Sequence, residues 1–211
     1  MAPQPTHRGL YARARHGEGR RQNRGQAPLQ TYFNRRVLAM LQKRGKIMVG
    51  WDEILGPDLP KEIIIQSWRG KKWLLDAVKQ GHPALLSEGY YLDLNYSAAA
   101  HYLPDPLPVG TPLTPAQQKL VLGGEVAMWS EFADSVIVDS RIWPRAAAVA
   151  ERLWSPQATT QNVADMYRRL NLVSVKLEAL GLRHRSAPAQ AARPDGWLLR
   201  RGPAAHPGRS N

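Results

Sequence analysis

Residues 62–68 read EIIIQSW, three consecutive isoleucines followed by a polar pair and a tryptophan. Polar and apolar side chains do not alternate in this run, so a strand formed here is buried on both faces, the pattern of a parallel sheet covered by helices. Three more runs share it: KIMVGW (46–51), HPALLS (82–87) and KLVLGGEVAMW (119–129). Helical periodicity fills the intervals. LQTYFNRRVLAMLQKRG puts Leu29, Tyr32, Phe33, Val37, Met40 and Leu41 on one face, with Gly45 at the closing position. KKWLLDAVKQG turns Trp73, Leu74, Ala77 and Val78 inward and ends at Gly81. Beyond the fourth run, RIWPRAAAVAERLW predicts a helix with Pro144 in its first turn, and NVADMYRRLNLVSVKLEALG a longer one closing at Gly181. DEILGPDLPKE is short for a crossover helix and predicts a loop with one helical turn. The proline-rich stretch from Tyr96 to Gln117 predicts an irregular loop.

Alternating strands and helices predict an α/β fold of about four parallel strands with flanking helices. Each strand run leads into an aromatic, polar or acidic cluster: WDE, QSWRG, EGYYLD and MWSE. In a (β/α)8 TIM barrel the active site gathers at the C-terminal strand ends, so four such clusters can converge on one pocket. A whole barrel has eight strands and about 250 residues, so four strands are half of one.

Composition narrows the function classes. The formal charge is +12, but residues 1–28 contribute +5 and residues 184–211 contribute +4, leaving +3 for 29–183. The excess sits on Gly-, Pro- and Arg-rich ends without hydrophobic periodicity, which are read as disordered basic segments flanking a domain at 29–183. Basic flanks without aromatic or motif support do not indicate a nucleic-acid partner. Cysteine is absent, which removes disulfides and thiolate metal sites and leaves the redox compartment open. No 18-residue apolar run and no apolar leader core occur, so neither a spanning helix nor a secretory signal is expected. Six scattered histidines at no metal-ligand spacing predict no metal, and no cofactor motif is present.

Trp51, Trp68, Tyr91 and Trp129 all fall at or just past strand ends. Aromatic walls with carboxylates between them suit a sugar, whose C–H faces pack on rings while its hydroxyls bond to Asp and Glu. Asp52 and Glu53 are adjacent, and consecutive strand residues point to opposite sides, so the two cannot both aim at one glycosidic oxygen.

The series GWDEIL, QSWRG, GYYLD, LGGEVAMWSE and RIWPRAAAVAERLWSP resembles the C-terminal half of the catalytic barrel of glycoside hydrolase family 20, the β-N-acetylhexosaminidases, over residues 29–183. The resemblance implies substrate-assisted retaining hydrolysis of terminal N-acetylglucosamine or N-acetylgalactosamine. In that chemistry the 2-acetamido oxygen attacks its own anomeric carbon while a glutamic acid protonates the leaving oxygen. It further implies that Trp51, Trp68 and Trp129 wall the acetamido pocket and that Tyr91 donates a hydrogen bond to the acetamido oxygen. Asp93 is similar to a carboxylate binding a sugar hydroxyl, and Glu131 to the one gripping the O4 and O6 side. By the same resemblance Asp52 and Glu53 anchor a loop. From its place in the proline-rich stretch, His101 is expected to border the leaving-group subsite. Arg145, Glu151 and Arg152 form an ion-pair network closing the barrel.

The family's acid lies in a His-x-Gly-Gly-Asp-Glu motif on the fourth barrel strand, and no such stretch occurs in these 211 residues. The expectation is therefore a fragment, inactive alone, whether from a truncated gene, a wrongly assigned start or a split protein. Its expected partners are N-acetylhexosamine-terminated glycans, and the missing half-barrel or a second copy. A non-catalytic sugar-binding remnant and a basic nucleic-acid-associated protein are the alternatives.

Overall fold

The computed structural model describes residues 28–184. The basic segments read at 1–28 and 184–211 lie outside the described residues, except Pro28 and His184. Four short strands, β1 (Val49–Trp51), β2 (Ile64–Ser67), β3 (Ala84–Leu86) and β4 (Val121–Gly124), form one sheet in the order β1-β2-β3-β4. β1 and β2 are parallel, with Val49 opposite Ile64 and Trp51 opposite Gln66. Ile65 N–H donates to the Pro83 carbonyl and Ala84 N–H to that of Leu120, each at 2.9 Å. Strands that are neighbours in both sequence and sheet, each reached by a crossover, are the local order of a (β/α) barrel. All four runs make strands, each shorter than its run, and the leftover residues run on into the loops that follow.

Among the described residues seven helices accompany them: α1 (Pro28–Gln42), α2 (Lys71–Lys79), α3 (Ala98–Tyr102), α4 (Pro115–Gln118), α5 (Val138–Ile142), α6 (Arg145–Trp154) and α7 (Val163–Ala179). No described helix is long and apolar enough to cross a membrane. The chain divides into two compact units, Met1–Leu85 with Pro112–Leu122, and Leu86–Thr111 with Gly123–Asn211.

In the first unit α2 lies on β2, and Ile63, Ile65, Leu74, Ala77, Val78 and Ala84 are wholly buried. α1 departs from its expected face, since Phe33 and Met40 are 63% and 57% exposed. Leu38 instead lines an apolar cavity with Met48, Ile54 and Ile63, so the helix turns a neighbouring stripe inward. His82 is wholly buried, with Nε2 3.4 Å from Lys61 Nζ and Nδ1 3.3 Å from the Ile63 carbonyl. Lys61 can only donate, so Nε2 carries the lone pair and Nδ1 the proton. Burial first, and the Lys61 charge second, hold this imidazole below its ordinary value of 6.5.

The folded state thus binds fewer protons at His82 than the unfolded chain. Its contribution is intact above pH 6.5 and is lost as pH falls from there through the depressed folded value. Urea midpoints measured from pH 8 to pH 5 are expected to fall below pH 6.5, and a His82→Gln variant is expected to flatten that decline. An unchanged decline in the variant would assign the pH dependence to another group.

In the second unit Ala98, Tyr102, Ala148, Met166 and Leu170 form the core, where α3 and α7 meet α6. The stretch expected to be irregular contains α3 here, and α4 in the first unit. Ser97 Oγ accepts the Ala100 N–H at 3.1 Å and caps α3, while Thr114 and Gln117 cap α4 reciprocally with Pro115 at its start. These are capping signals that the proline count obscured. The helix expected across RIWPR is instead two. Trp143 sits at φ −104°, ψ 147°, the extended conformation that a following proline favours, and α6 begins after the cis Trp143–Pro144 bond.

Of the residues expected to form an ion-pair network, Arg152 and Glu151 each make an ion pair, with Asp105 and Arg169. Arg152 donates to the Pro104 and Thr160 carbonyls and pairs with Asp105 at 2.9 Å, tying the proline-rich loop to α6. Glu151 accepts from the Tyr102 hydroxyl at 3.0 Å and pairs with Arg169 of α7.

Candidate functional site

In the first unit, half-buried Trp51 closes β1, and Asp52–Ile54 then coil into a single 3-10 turn. The strand-alternation argument for the acid pair does not apply to a turn, yet the two carboxylates still separate in role. Asp52 is 1% exposed: Oδ2 accepts the Trp68 and Arg69 backbone N–H groups at 3.1 and 3.2 Å, and Oδ1 accepts Arg69 Nε–H at 2.5 Å. Glu53 Oε1 accepts the Trp68 indole N–H at 2.8 Å. Both acids therefore hold the end of β2, with Trp68 gripped at its backbone by one and at its ring edge by the other.

In the second unit, Tyr91 makes a parallel bridge with Ala127; Leu92 N–H donates to the Ala127 carbonyl and Ala127 N–H to that of Tyr90. This bridge joins the Tyr91–Asp93 segment to the Ala127–Trp129 segment. Tyr90 points away into the core, its hydroxyl donating to the Pro104 carbonyl at 3.0 Å, and burial raises its pKa well above the usual phenol range. Gly124 has to be small, because a Cβ there would lie 2.5 Å from the rigid Tyr90 ring. Tyr91, one residue on, alternates outward and is half-buried.

Asp93 is 4% exposed, and its Oδ1 has no hydrogen-bond partner among the described residues. Burial raises its pKa above the ordinary carboxylate value. Hydrogen bonds from the Asp93 and Trp129 backbones oppose that rise, the Glu131 charge adds to it, and Arg145 opposes it. Trp129 is 44% exposed, and Glu131 is also exposed.

Arg145 holds this arrangement from behind. It is 1% exposed and donates to the Leu92 carbonyl at 2.6 Å, to the Tyr96 carbonyl at 2.8 Å and to that of Arg141. The expectation for His101 fails, because it is buried among these groups. Nδ1 donates to the Gly89 carbonyl at 2.7 Å, which leaves Nε2 to face Arg145 at 3.4 Å. Trp51 and Trp68 thus lie in the first unit, and Tyr91, Asp93, Trp129 and Glu131 in the second. Among the described residues no group of three or more His, Cys, Asp or Glu is arranged to hold a metal ion.

The profile of the glycosyl hydrolase family 20 catalytic domain matches residues 13–157. The chain belongs to glycoside hydrolase family 20. The match starts within the segment assigned above to the basic flank and stops before α7. Among family 20 relatives, the β-hexosaminidase subunit beta of Rattus norvegicus is 29% identical over 160 residues, covering 73% of this chain and 30% of that protein. The chitobiase structure from Flavobacterium johnsoniae matches with a TM-score of 0.71 and 49% identity over 77% of this chain and 26% of that one. The family 20 exo-β-N-acetylglucosaminidase of Vibrio harveyi, solved with N-acetylglucosamine, matches with a TM-score of 0.67 and 26% identity, over 75% of this chain and 28% of that one. This chain therefore spans about 30% or less of the length of these family 20 proteins.

Arg69 and Arg145 were not among the residues picked out as site members, yet each braces a site segment. Their sequence signals are slight: Arg69 directly follows Trp68, and Arg145 directly follows Trp143-Pro144.

Proposed function

We propose that residues 29–183 are the substrate-binding part of a β-N-acetylhexosaminidase that removes terminal N-acetylglucosamine or N-acetylgalactosamine from glycans, with the substrate's own acetamido oxygen as nucleophile. The observation that carries this reading is Asp93, whose buried Oδ1 has no partner among the described residues. A buried carboxylate oxygen without a donor is costly, and a sugar hydroxyl supplies the donor. Membership of family 20 and the N-acetylglucosamine complex of the Vibrio harveyi relative support the substrate class.

In this reading, carried by the family resemblance, Trp51, Trp68 and Trp129 are acetamido-wall residues, Tyr91 donates to the acetamido oxygen, and Glu131 binds toward O4 and O6. No His-x-Gly-Gly-Asp-Glu stretch occurs among the 211 residues, so the proton donor comes from outside them and these residues do not turn over substrate alone. Asp52 and Glu53 are excluded as donors by their engagement with Trp68 and Arg69.

The test is Asp93→Asn in an enzyme that joins these residues to the acid motif. Loss of a charged acceptor is expected to raise KM for a chromogenic N-acetylglucosaminide roughly 10- to 100-fold, with kcat changed much less. In the parent enzyme, affinity is expected to weaken as pH falls through a value above the ordinary carboxylate range, since protonation of Asp93 removes the acceptor. An unchanged KM in Asp93→Asn would remove the residue from sugar binding.

A further inference from the structure

We propose that Arg69 is the positioning residue of Trp68: clamped between Asp52 and the Trp73 ring, it sets where the indole stands and thereby how large an N-acyl group is accepted. The role in N-acyl selection rests on the reading of Trp68 as an acetamido wall; the positioning itself does not.

Four contacts define the clamp. Arg69 Nε–H meets Asp52 Oδ1 at 2.5 Å, and the guanidinium carbon lies 4.0 Å from the centre of the Trp73 ring. The other oxygen of the same carboxylate receives the Trp68 and Arg69 amides. The Asp52 side chain is 0% exposed, so the Arg69 cation is what offsets a desolvated charge, and removing it would leave that charge unpaired. The carboxylate would then shift, and the two amides would lose the acceptor that fixes the backbone at Trp68. The planar guanidinium suits both partners at once, with an N–H edge on the carboxylate and a face on the indole.

The turn is closed on its far side as well. Ser67 Oγ donates to the Gly70 carbonyl at 2.8 Å, and Gly70 sits at φ +132°, a conformation that side chains rarely adopt. With the backbone held in this way and Glu53 on the indole N–H, Trp68 is fixed at both backbone and ring edge, and removing Arg69 loosens it through Asp52 without touching the ring.

The first experiment needs no activity. In the 15N-labelled chain the Trp68 indole N–H, assigned by its disappearance in Trp68→Phe, is followed by hydrogen exchange. Arg69→Gln is expected to speed that exchange about tenfold, the effect of losing one charged hydrogen bond. Trp73→Leu, which removes only the stacking, should shift it in the same direction by less. Unchanged exchange in a folded Arg69→Gln overturns the proposal, and if that variant does not fold, unchanged exchange in Trp73→Leu overturns it.

The second experiment uses an enzyme that joins these residues to the acid motif, and compares kcat/KM for N-acetyl and N-propanoyl glucosaminides. One extra methylene is discriminated about 10- to 200-fold by a fitted apolar pocket, and Arg69→Gln is expected to cut the discrimination about tenfold, as is Trp68→Leu. If Trp68→Leu leaves the ratio alone, the reading of Trp68 as an acetamido wall fails, while the exchange rates still decide the role of Arg69.

Discussion

Tyr91→Phe is expected to lower kcat about 100- to 1,000-fold in an enzyme joining these residues to the acid motif, while substrate affinity changes little. As the acetamido oxygen attacks the anomeric carbon, positive charge spreads into the forming ring, and a hydroxyl already oriented on that oxygen holds the nucleophile in its attack geometry throughout. A hydrogen bond that matters chiefly in the transition state appears in kcat rather than in KM. Orientation is supplied by the bridge to Ala127 and by the Arg145 bond to the Leu92 carbonyl, neither of which the substitution touches. Phenylalanine also retains the packing of the half-buried ring, so a loss of rate reports the hydroxyl alone. A Tyr91→Phe enzyme with unaltered kcat would take Tyr91 out of the mechanism.

The 211-residue chain by itself is expected to release no product above background from a chromogenic N-acetylglucosaminide at neutral pH. The four carboxylates nearest the strand-end aromatics have other engagements or surroundings. Asp52 is buried under two amides and a guanidinium, and Glu53 holds an indole N–H. Asp93 is read as the acceptor of a sugar hydroxyl, and Glu131 is exposed to solvent. Turnover that follows the 211-residue species through size-exclusion chromatography and is abolished by Trp129→Ala would show that a carboxylate within the chain protonates the leaving group. Glu131 would then be the first to replace, with Gln.

The legible part of the fold was the part governed by local pattern. β-Branched runs such as Ile63-Ile64-Ile65 become strands whichever neighbour they meet, and Leu74, Ala77 and Val78 share one side of α2 by helical period alone. Where two local signals competed, the reading went wrong. Proline density masks the Ser97 and Thr114 caps of α3 and α4, and the helical pattern around Pro144 hides that this proline divides α5 from α6.

By itself, the sequence determined a parallel α/β chain of family 20, the strand-end positions of Trp51, Trp68, Tyr91 and Trp129, and the absence of the acid motif from these 211 residues. All of these rest on residue types and spacings within short windows. Tertiary structure alone decided that Asp52 and Glu53 grip Trp68, that His101 is an interior bridge to Arg145, and that Asp93 keeps a buried oxygen without a donor among the described residues. The physical reason is distance along the chain: Arg145 meets Leu92 across 53 residues and Arg69 meets Asp52 across 17. A charged side chain reads the same in sequence whether solvated or buried, and only the packed fold settles which partner removes it from water.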